Sequence, residues 1–188
     1  ALSARKMAEG WETEMKDIGM IQLYCGDGKG KTSAAMGQCL RAVGHGLRVG
    51  IVQFLKNGSS GEIVVLSRLE NVRVFPFLKQ VKFSFAMNEE EKQEARVFYN
   101  TLFGEAAASA ESLDVLLLDE VCAAVSAGLL DENVLLAFLR EKPVGLEVLL
   151  TGRDPSEEIR KLADYISEVR MLRHPYEKGV PAREGIEW

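Results

Sequence analysis

Histidine and cysteine are scarce, with two His and three Cys in 188 residues. Cys25, Cys39 and Cys122 are odd in number and show no metal-binding spacing, so neither a disulfide framework nor a thiolate metal centre is expected. His45 and His174 have no Cys or His at ligand spacing, which leaves metal ligation by either unsupported. No stretch reaches the ~18 apolar residues of a membrane helix. The opening residues, ALSARKMAEGWETEMKD, mix acids with bases and lack the apolar core of a secretion signal. An excess of basic charge is also missing. Lys+Arg total 23 against 28 Asp+Glu, a formal net charge of −5, which opposes a general binder of nucleic acid or anionic membranes. The expectation is a cytoplasmic domain with reduced thiols and no nucleic-acid or membrane partner.

What is present is ordinary globular material: 47% hydrophobic and 27% charged residues. At roughly 150 residues per domain this length predicts one domain. Short apolar runs alternate with longer amphipathic stretches. Strands are predicted at Met20–Cys25, Arg48–Phe54, Val72–Phe77, Asp114–Asp119, Glu147–Thr151 and Ile166–Met171. Helices are predicted at Thr32–Val43, Glu62–Leu69, Asn88–Ser112, Glu132–Arg140 and Ser156–Ala163. This alternation implies right-handed crossovers and an α/β fold of three layers with a mainly parallel sheet. There is no internal repeat and no low-complexity linker.

Between the first strand and first helix lies Gly26-Asp-Gly-Lys-Gly-Lys-Thr32. Its glycines let backbone N–H groups approach phosphate oxygens, and the helix N-terminus adds a positive dipole end. Lys31 supplies a point charge and Thr32 a hydroxyl placed to ligate Mg²⁺ or Mn²⁺. The general phosphate-loop pattern has a first glycine where this chain has Cys25. Gly26, Asp27, Gly28, Lys29, Gly30, Lys31 and Thr32 are therefore candidate ATP-binding residues. Asp119-Glu120, at the end of the most apolar strand, reads as the second half of a nucleotide site, with Asp119 and Glu120 joining Thr32 as candidate metal ligands. Lys56 and Arg153 follow strands at the same predicted edge, and Arg41 lies on the first helix. Lys56 and Arg41 are candidates for ATP; Lys31, Glu120 and Arg153 are candidates for catalysis. The predicted fold is that of a P-loop NTPase, RecA-like, with one strand between the phosphate-loop strand and the Asp119 strand.

Several segments together resemble the P-loop ATP:corrinoid adenosyltransferases of cobalamin biosynthesis and salvage. They are Gly26-Asp-Gly-Lys-Gly-Lys-Thr-Ser-Ala-Ala-Met-Gly37, Arg41-Ala-Val-Gly-His-Gly46 and Val52-Gln-Phe-Leu-Lys56. Leu117-Leu-Asp-Glu120, Leu150-Thr-Gly-Arg153, Leu162-Ala-Asp-Tyr-Ile-Ser-Glu-Val169 and Lys178-Gly-Val-Pro-Ala-Arg-Glu-Gly-Ile-Glu-Trp188 follow in the same order. The resemblance spans roughly residues 20 to 188, and that family also lacks the first glycine of the loop.

The resemblance implies transfer of the 5′-deoxyadenosyl group of ATP to the Co(I) of a reduced corrinoid, as a cob(I)yrinic acid a,c-diamide adenosyltransferase does, with release of triphosphate. It implies ATP reversed in its loop, a separate flavoprotein reductant and a homodimer. It also implies an N-terminal helix covering the corrinoid; Met7, Trp11, Met15 and Ile18 offer an apolar stripe for a lid within residues 1–19. Family members commonly have a Phe-x-Trp pair that displaces the lower cobalt ligand, where this chain has Phe83-Ser-Phe85. Phe83, Phe85 and Trp11 are accordingly the corrinoid-facing candidates. Val121-Cys-Ala-Ala124 departs from the family's usual residues. Two other readings remain at this point: a RecA-like ATPase or phosphotransferase in which Glu120 activates water, and a nucleotide-binding module without turnover.

Overall fold

A computed structural model describes residues 18–78 and 86–187. Six strands form one sheet: β1 (Ile21–Cys25), β2 (Val49–Gln53), β3 (Val72–Val74), β4 (Val115–Asp119), β5 (Glu147–Gly152) and β6 (Tyr165–Glu168). Their order is β3-β2-β4-β5-β1-β6 and every pairing is parallel. One strand, β5, separates β1 from β4, as the RecA-like expectation required. The helices are α1 (Lys31–Gly44), α2 (Gly61–Leu66), α3 (Glu89–Ala108), α4 (Val121–Ser126), α5 (Glu132–Glu141) and α6 (Glu157–Leu162).

Strand period two divides the core into two layers. Val115 and Leu117 of β4 and Leu149 of β5 join Ala35, Met36 and Cys39 of α1 and Ile63 and Leu66 of α2. Leu116, Leu118, Val148 and Leu150 turn to the other face, where α3, α4, α5 and α6 bury Tyr99, Phe103, Val121, Leu135 and Ile159. β2 and β4 are buried on both faces, which explains their near-continuous apolar sequence. β6, at the sheet's edge, is exposed along its whole length.

Local chemistry sets the helix starts. Asn88 caps α3 through a capping box with Glu91, and Ser156 caps α6 by accepting from the Ile159 N–H. α1 differs: its N-cap is Gly30, in the left-handed region at φ 117°, and no side chain caps the helix. The first-turn N–H groups of α1 thus lack a side-chain acceptor.

The elements depart from expectation in four places. β3 ends at Val74 instead of Phe77, because Phe75 turns into the core. The predicted long helix ends at Ala108, and a 3₁₀ turn, Ala110–Ser112, replaces its tail. β6 stops at Glu168 because the chain beyond it is drawn to the phosphate loop: the Gly28 N–H donates to the Val169 carbonyl at 2.8 Å and the Met171 N–H to Asp27 Oδ1 at 3.0 Å. α4 was unanticipated. Trp11, Phe83 and Phe85 lie outside the described residues, as do Met7 and Met15. Among the described residues no helix is long and apolar enough to cross a membrane.

Candidate functional site

Parallel strands deliver their following loops to one edge, and that edge holds a cavity of about 910 Å³. The β1–α1 loop and the first turn of α1 contribute residues 27–33, the segment after β2 contributes Leu55 through Asn57 and Ser59 through Glu62, and Glu120 and Arg153 follow β4 and β5. Among the described residues, three that are not glycine have left-handed backbones: Leu55, Glu120 and Asp154, at φ 55°, 60° and 49°. Each lies one or two residues past a strand at this edge, where backbone strain marks tight positioning. Gly152 is required where it stands, since its φ is 147° and an added Cβ would lie 2.7 Å from Cys122 Cβ.

Asp119 is the floor of the site and fully buried. Its Oδ1 accepts from Thr32 Oγ1 at 2.9 Å and Thr151 Oγ1 at 2.7 Å. Its Oδ2 accepts from Lys56 Nζ at 2.7 Å and Gln53 Nε2 at 3.1 Å. Lys56 Nζ also donates to Thr32 Oγ1 at 2.9 Å, so one ammonium joins the loop hydroxyl to the carboxylate. The register explains the convergence, because Gln53 on β2 pairs directly with Asp119 on β4.

Lys31 is almost buried, and its Nζ donates to the Gly28 carbonyl at 2.9 Å. Burial lowers the pKa of its ammonium, with the nearby Glu120 acting in the opposite direction. Burial raises the Glu120 carboxyl, and the adjacent Asp119 charge adds to the shift against Lys56, Lys31 and Arg153. The Glu120 N–H donates to Thr151 Oγ1 at 2.8 Å, which fixes the turn into α4. Asp27 lies below the usual carboxylate range because it accepts the Met171 N–H.

No three His, Cys, Asp or Glu groups among the described residues gather as a metal centre. A magnesium ion bound with nucleotide phosphates asks for less, one or two protein oxygens. Thr32 Oγ1 and the Asp119 carboxylate supply hard donors of that kind. Gln53 Oε1 is buried beside them without a hydrogen-bond partner. The donor set fits a hard divalent cation.

Asp27, Gly28, Lys29, Gly30, Lys31, Thr32, Lys56, Glu120 and Arg153 all line the cavity. Gly26 faces a neighbouring depression beside Arg160 and Arg170. Arg41, the remaining nucleotide-contact candidate, sits in the last turn of α1, ten residues past Lys31, and is not among the residues lining the cavity. At 1.5 Å per residue that is about 15 Å along the helix. Sequence reasoning missed Gln53, Thr151, Ser59 and Ser60. It also missed His174 and the stretch Gly185–Glu187, which reach the cavity through the path of the chain after β6. A polar residue closing an apolar strand, as Gln53 and Thr151 do, was the available signal for two of them.

The sequence profile described as ATP:corrinoid adenosyltransferase BtuR/CobO/CobP matches residues 17–188. The chain is similar to the "Corrinoid adenosyltransferase" of Escherichia coli strain K12, 35% identical over 171 residues, covering 90% of this chain and 86% of that one. It is 34% identical over 174 residues to the "Corrinoid adenosyltransferase CobA" of Salmonella typhimurium strain LT2, covering 92% and 87%. The "Corrinoid adenosyltransferase" of Pseudomonas aeruginosa is 30% identical over 173 residues, covering 90% and 84%.

Proposed function

The chain belongs to the ATP:corrinoid adenosyltransferase family, and from that premise we propose how its residues divide the work of moving an adenosyl group from ATP to a corrinoid. The observation that carries the proposal is the Thr32–Lys56–Asp119 cluster beneath the uncapped start of α1. It is a phosphate site with a buried carboxylate as counter-charge.

In the transfer, the electron pair of Co(I) forms a bond to C5′ of ATP while the C5′–O bond breaks and triphosphate leaves as an oxyanion. No proton has to move at carbon. The chain's task is to hold C5′ in line with cobalt and stabilise charge growing on the leaving oxygen. Lys31 and the N–H groups opening α1 hold the phosphates, and Arg153 meets them from the β5 side. Lys56 bridges Thr32 and Asp119 and lines the cavity that would take the nucleotide. Thr32 and Asp119 would hold Mg²⁺ or Mn²⁺, which would supply further positive charge to the triphosphate. Glu120 holds the metal's surroundings or the ribose rather than acting as a base. ATP lies in the reversed sense, with C5′ toward the corrinoid.

Phe83, Phe85 and Trp11 form the apolar wall and lid against the corrin, with residues 1–19 as the covering segment and 20–188 as the nucleotide domain. A reduced flavoprotein delivers the electron to Co(II), and the enzyme works as a cytoplasmic homodimer. Family membership supports these assignments, and the hard-donor floor supports the metal. The test compares ATP loss with and without a chemically generated Co(I) corrinoid under anaerobic conditions. Consumption should depend on the corrinoid, and equal loss in its absence would return the chain to the ATPase reading.

A further inference from the structure

Asp119 is held from the strands on either side of it. Each of its oxygens has one partner that lines the cavity and one that does not: Lys56 and Gln53 donate to Oδ2, Thr32 and Thr151 to Oδ1. Thr151, on β5, is fully buried and also meets the next acid along the chain. Its Oγ1 donates to Asp119 Oδ1 at 2.7 Å and accepts from the Glu120 N–H at 2.8 Å. Valence fixes both directions, because a backbone N–H can only donate and the one hydroxyl proton is left for the carboxylate. Glu120 needs such a hold. It precedes α4 at φ 60° with no capping side chain, in a left-handed backbone that L-residues disfavour. Gly152, the residue after Thr151, lies so close to that turn that an added Cβ would stand 2.7 Å from Cys122 Cβ and 3.1 Å from the Ala123 N. The end of β5 thus bears on both acids.

We propose that Thr151 is a positioning residue of this site: its single hydroxyl locks the Asp119 carboxylate to the Glu120 turn, so that the two acids are presented to the nucleotide's metal ion as one unit. The proposal rests on the reading that Thr32 and Asp119 would hold Mg²⁺ or Mn²⁺ beside ATP. Thr151 is not among the residues lining the cavity, and the grip on phosphate falls instead to Lys31 and the N–H groups opening α1. Loss of the hydroxyl should therefore leave metal-free binding of ATP intact and reduce the part of the affinity that Mg²⁺ adds. Magnesium asks for near-octahedral placement of its oxygens, so a small rotation of Asp119 or relaxation of Glu120 weakens its hold. A residue that merely packed β5 against α4 would lower stability without touching that increment.

Calorimetric titration of the full chain with ATP, in chelator and again in excess Mg²⁺, tests the proposal on Thr151→Val, Thr151→Ala and Thr151→Ser. In chelator all three should bind ATP within about twofold of the parent. The factor by which Mg²⁺ tightens binding should fall about tenfold in the valine and alanine forms, the equivalent of one hydrogen bond. Serine, which restores the hydroxyl without the methyl group, should keep that factor within about twofold of the parent. Thermal melts establish which variants are folded, and alanine serves should valine fail. A folded valine or alanine form with the parent's Mg²⁺ factor overturns the proposal. Equal loss in the serine form also overturns it, since packing and not the hydroxyl would then matter. Weakening of the same size in chelator and in Mg²⁺ would show general distortion of the cavity and contradict it as well. If neither apolar form folds while serine does, the hydroxyl serves stability and the positioning role is withdrawn. A parent whose ATP affinity is indifferent to Mg²⁺ overturns instead the metal reading beneath the proposal.

Discussion

Replacing Lys31 with alanine should separate the cost to chemistry from the cost to folding. The ammonium is 7% exposed, donates one hydrogen bond, to the Gly28 carbonyl, and is disfavoured by its own burial. Its folded-state hydrogen bond, about 1–2 kcal/mol, is opposed by a desolvation penalty of similar size. Stability should therefore change by about 1 kcal/mol or less. In transfer the same charge faces a leaving triphosphate in a partly closed site, where one preorganised contact is worth about 10²–10³ in rate, or about 2.7–4 kcal/mol. Urea denaturation gives the first quantity. Anaerobic transfer to pre-formed Co(I) corrinoid at saturating ATP gives the second, with calorimetry for ATP affinity. Turnover of the alanine variant within a fewfold of the parent, on folded protein, would refute the assignment of the phosphate loop.

Four further outcomes are expected. Asp119→Asn leaves Lys56 without its carboxylate and should cost roughly 2–4 kcal/mol, toward the lower end because Lys56 is 28% exposed and can turn to water; urea denaturation checks the stability, and loss of the Mg²⁺ dependence of ATP affinity checks the metal role. Gly152→Ala places a Cβ against Cys122 at a backbone φ of 147° and should destabilise by about 2 kcal/mol or more, read as a lower midpoint in urea. Because the folded state raises the Glu120 pKa, it binds that proton more tightly than the unfolded chain does, so stability falls as pH rises from the ordinary glutamate range through the raised value. Glu120→Gln should flatten that decline in thermal melts at successive pH values. The double variant Phe83→Ala/Phe85→Ala should spare ATP affinity and transfer from pre-formed Co(I), yet depress the four-coordinate Co(II) signal in electron paramagnetic resonance. An unchanged signal would return both rings to ordinary packing.

Local patterns reached the sheet because its strands announce themselves. Val115–Asp119 is apolar on both faces, and a strand so buried must be interior and flanked by helices. The Gly-rich turn from β1 into α1 was equally legible, since the glycine spacing of Gly26–Gly30 breaks the strand and the Lys-Thr pair opens the helix. α4 was not, because it is six residues long and opens at a left-handed Glu120 with no capping side chain, so neither periodicity nor a cap marks it. Arg41 lies about 15 Å along α1 from Lys31, a separation that its residue type alone does not reveal. Gln53 and Thr151 join Asp119 through strand register, and His174 and Glu187 meet the cavity through a long return of the chain. Those relations are non-local, so no window of sequence contains them.

The most direct measurement is the product inventory of one anaerobic incubation with ATP, Mg²⁺ and Co(I) corrinoid. Adenosyl transfer through attack at C5′ predicts intact triphosphate and adenosylated corrinoid in equal amounts, with no orthophosphate accumulating. ADP with orthophosphate, in excess of any adenosylated corrinoid, would place the broken bond at phosphorus and contradict the account.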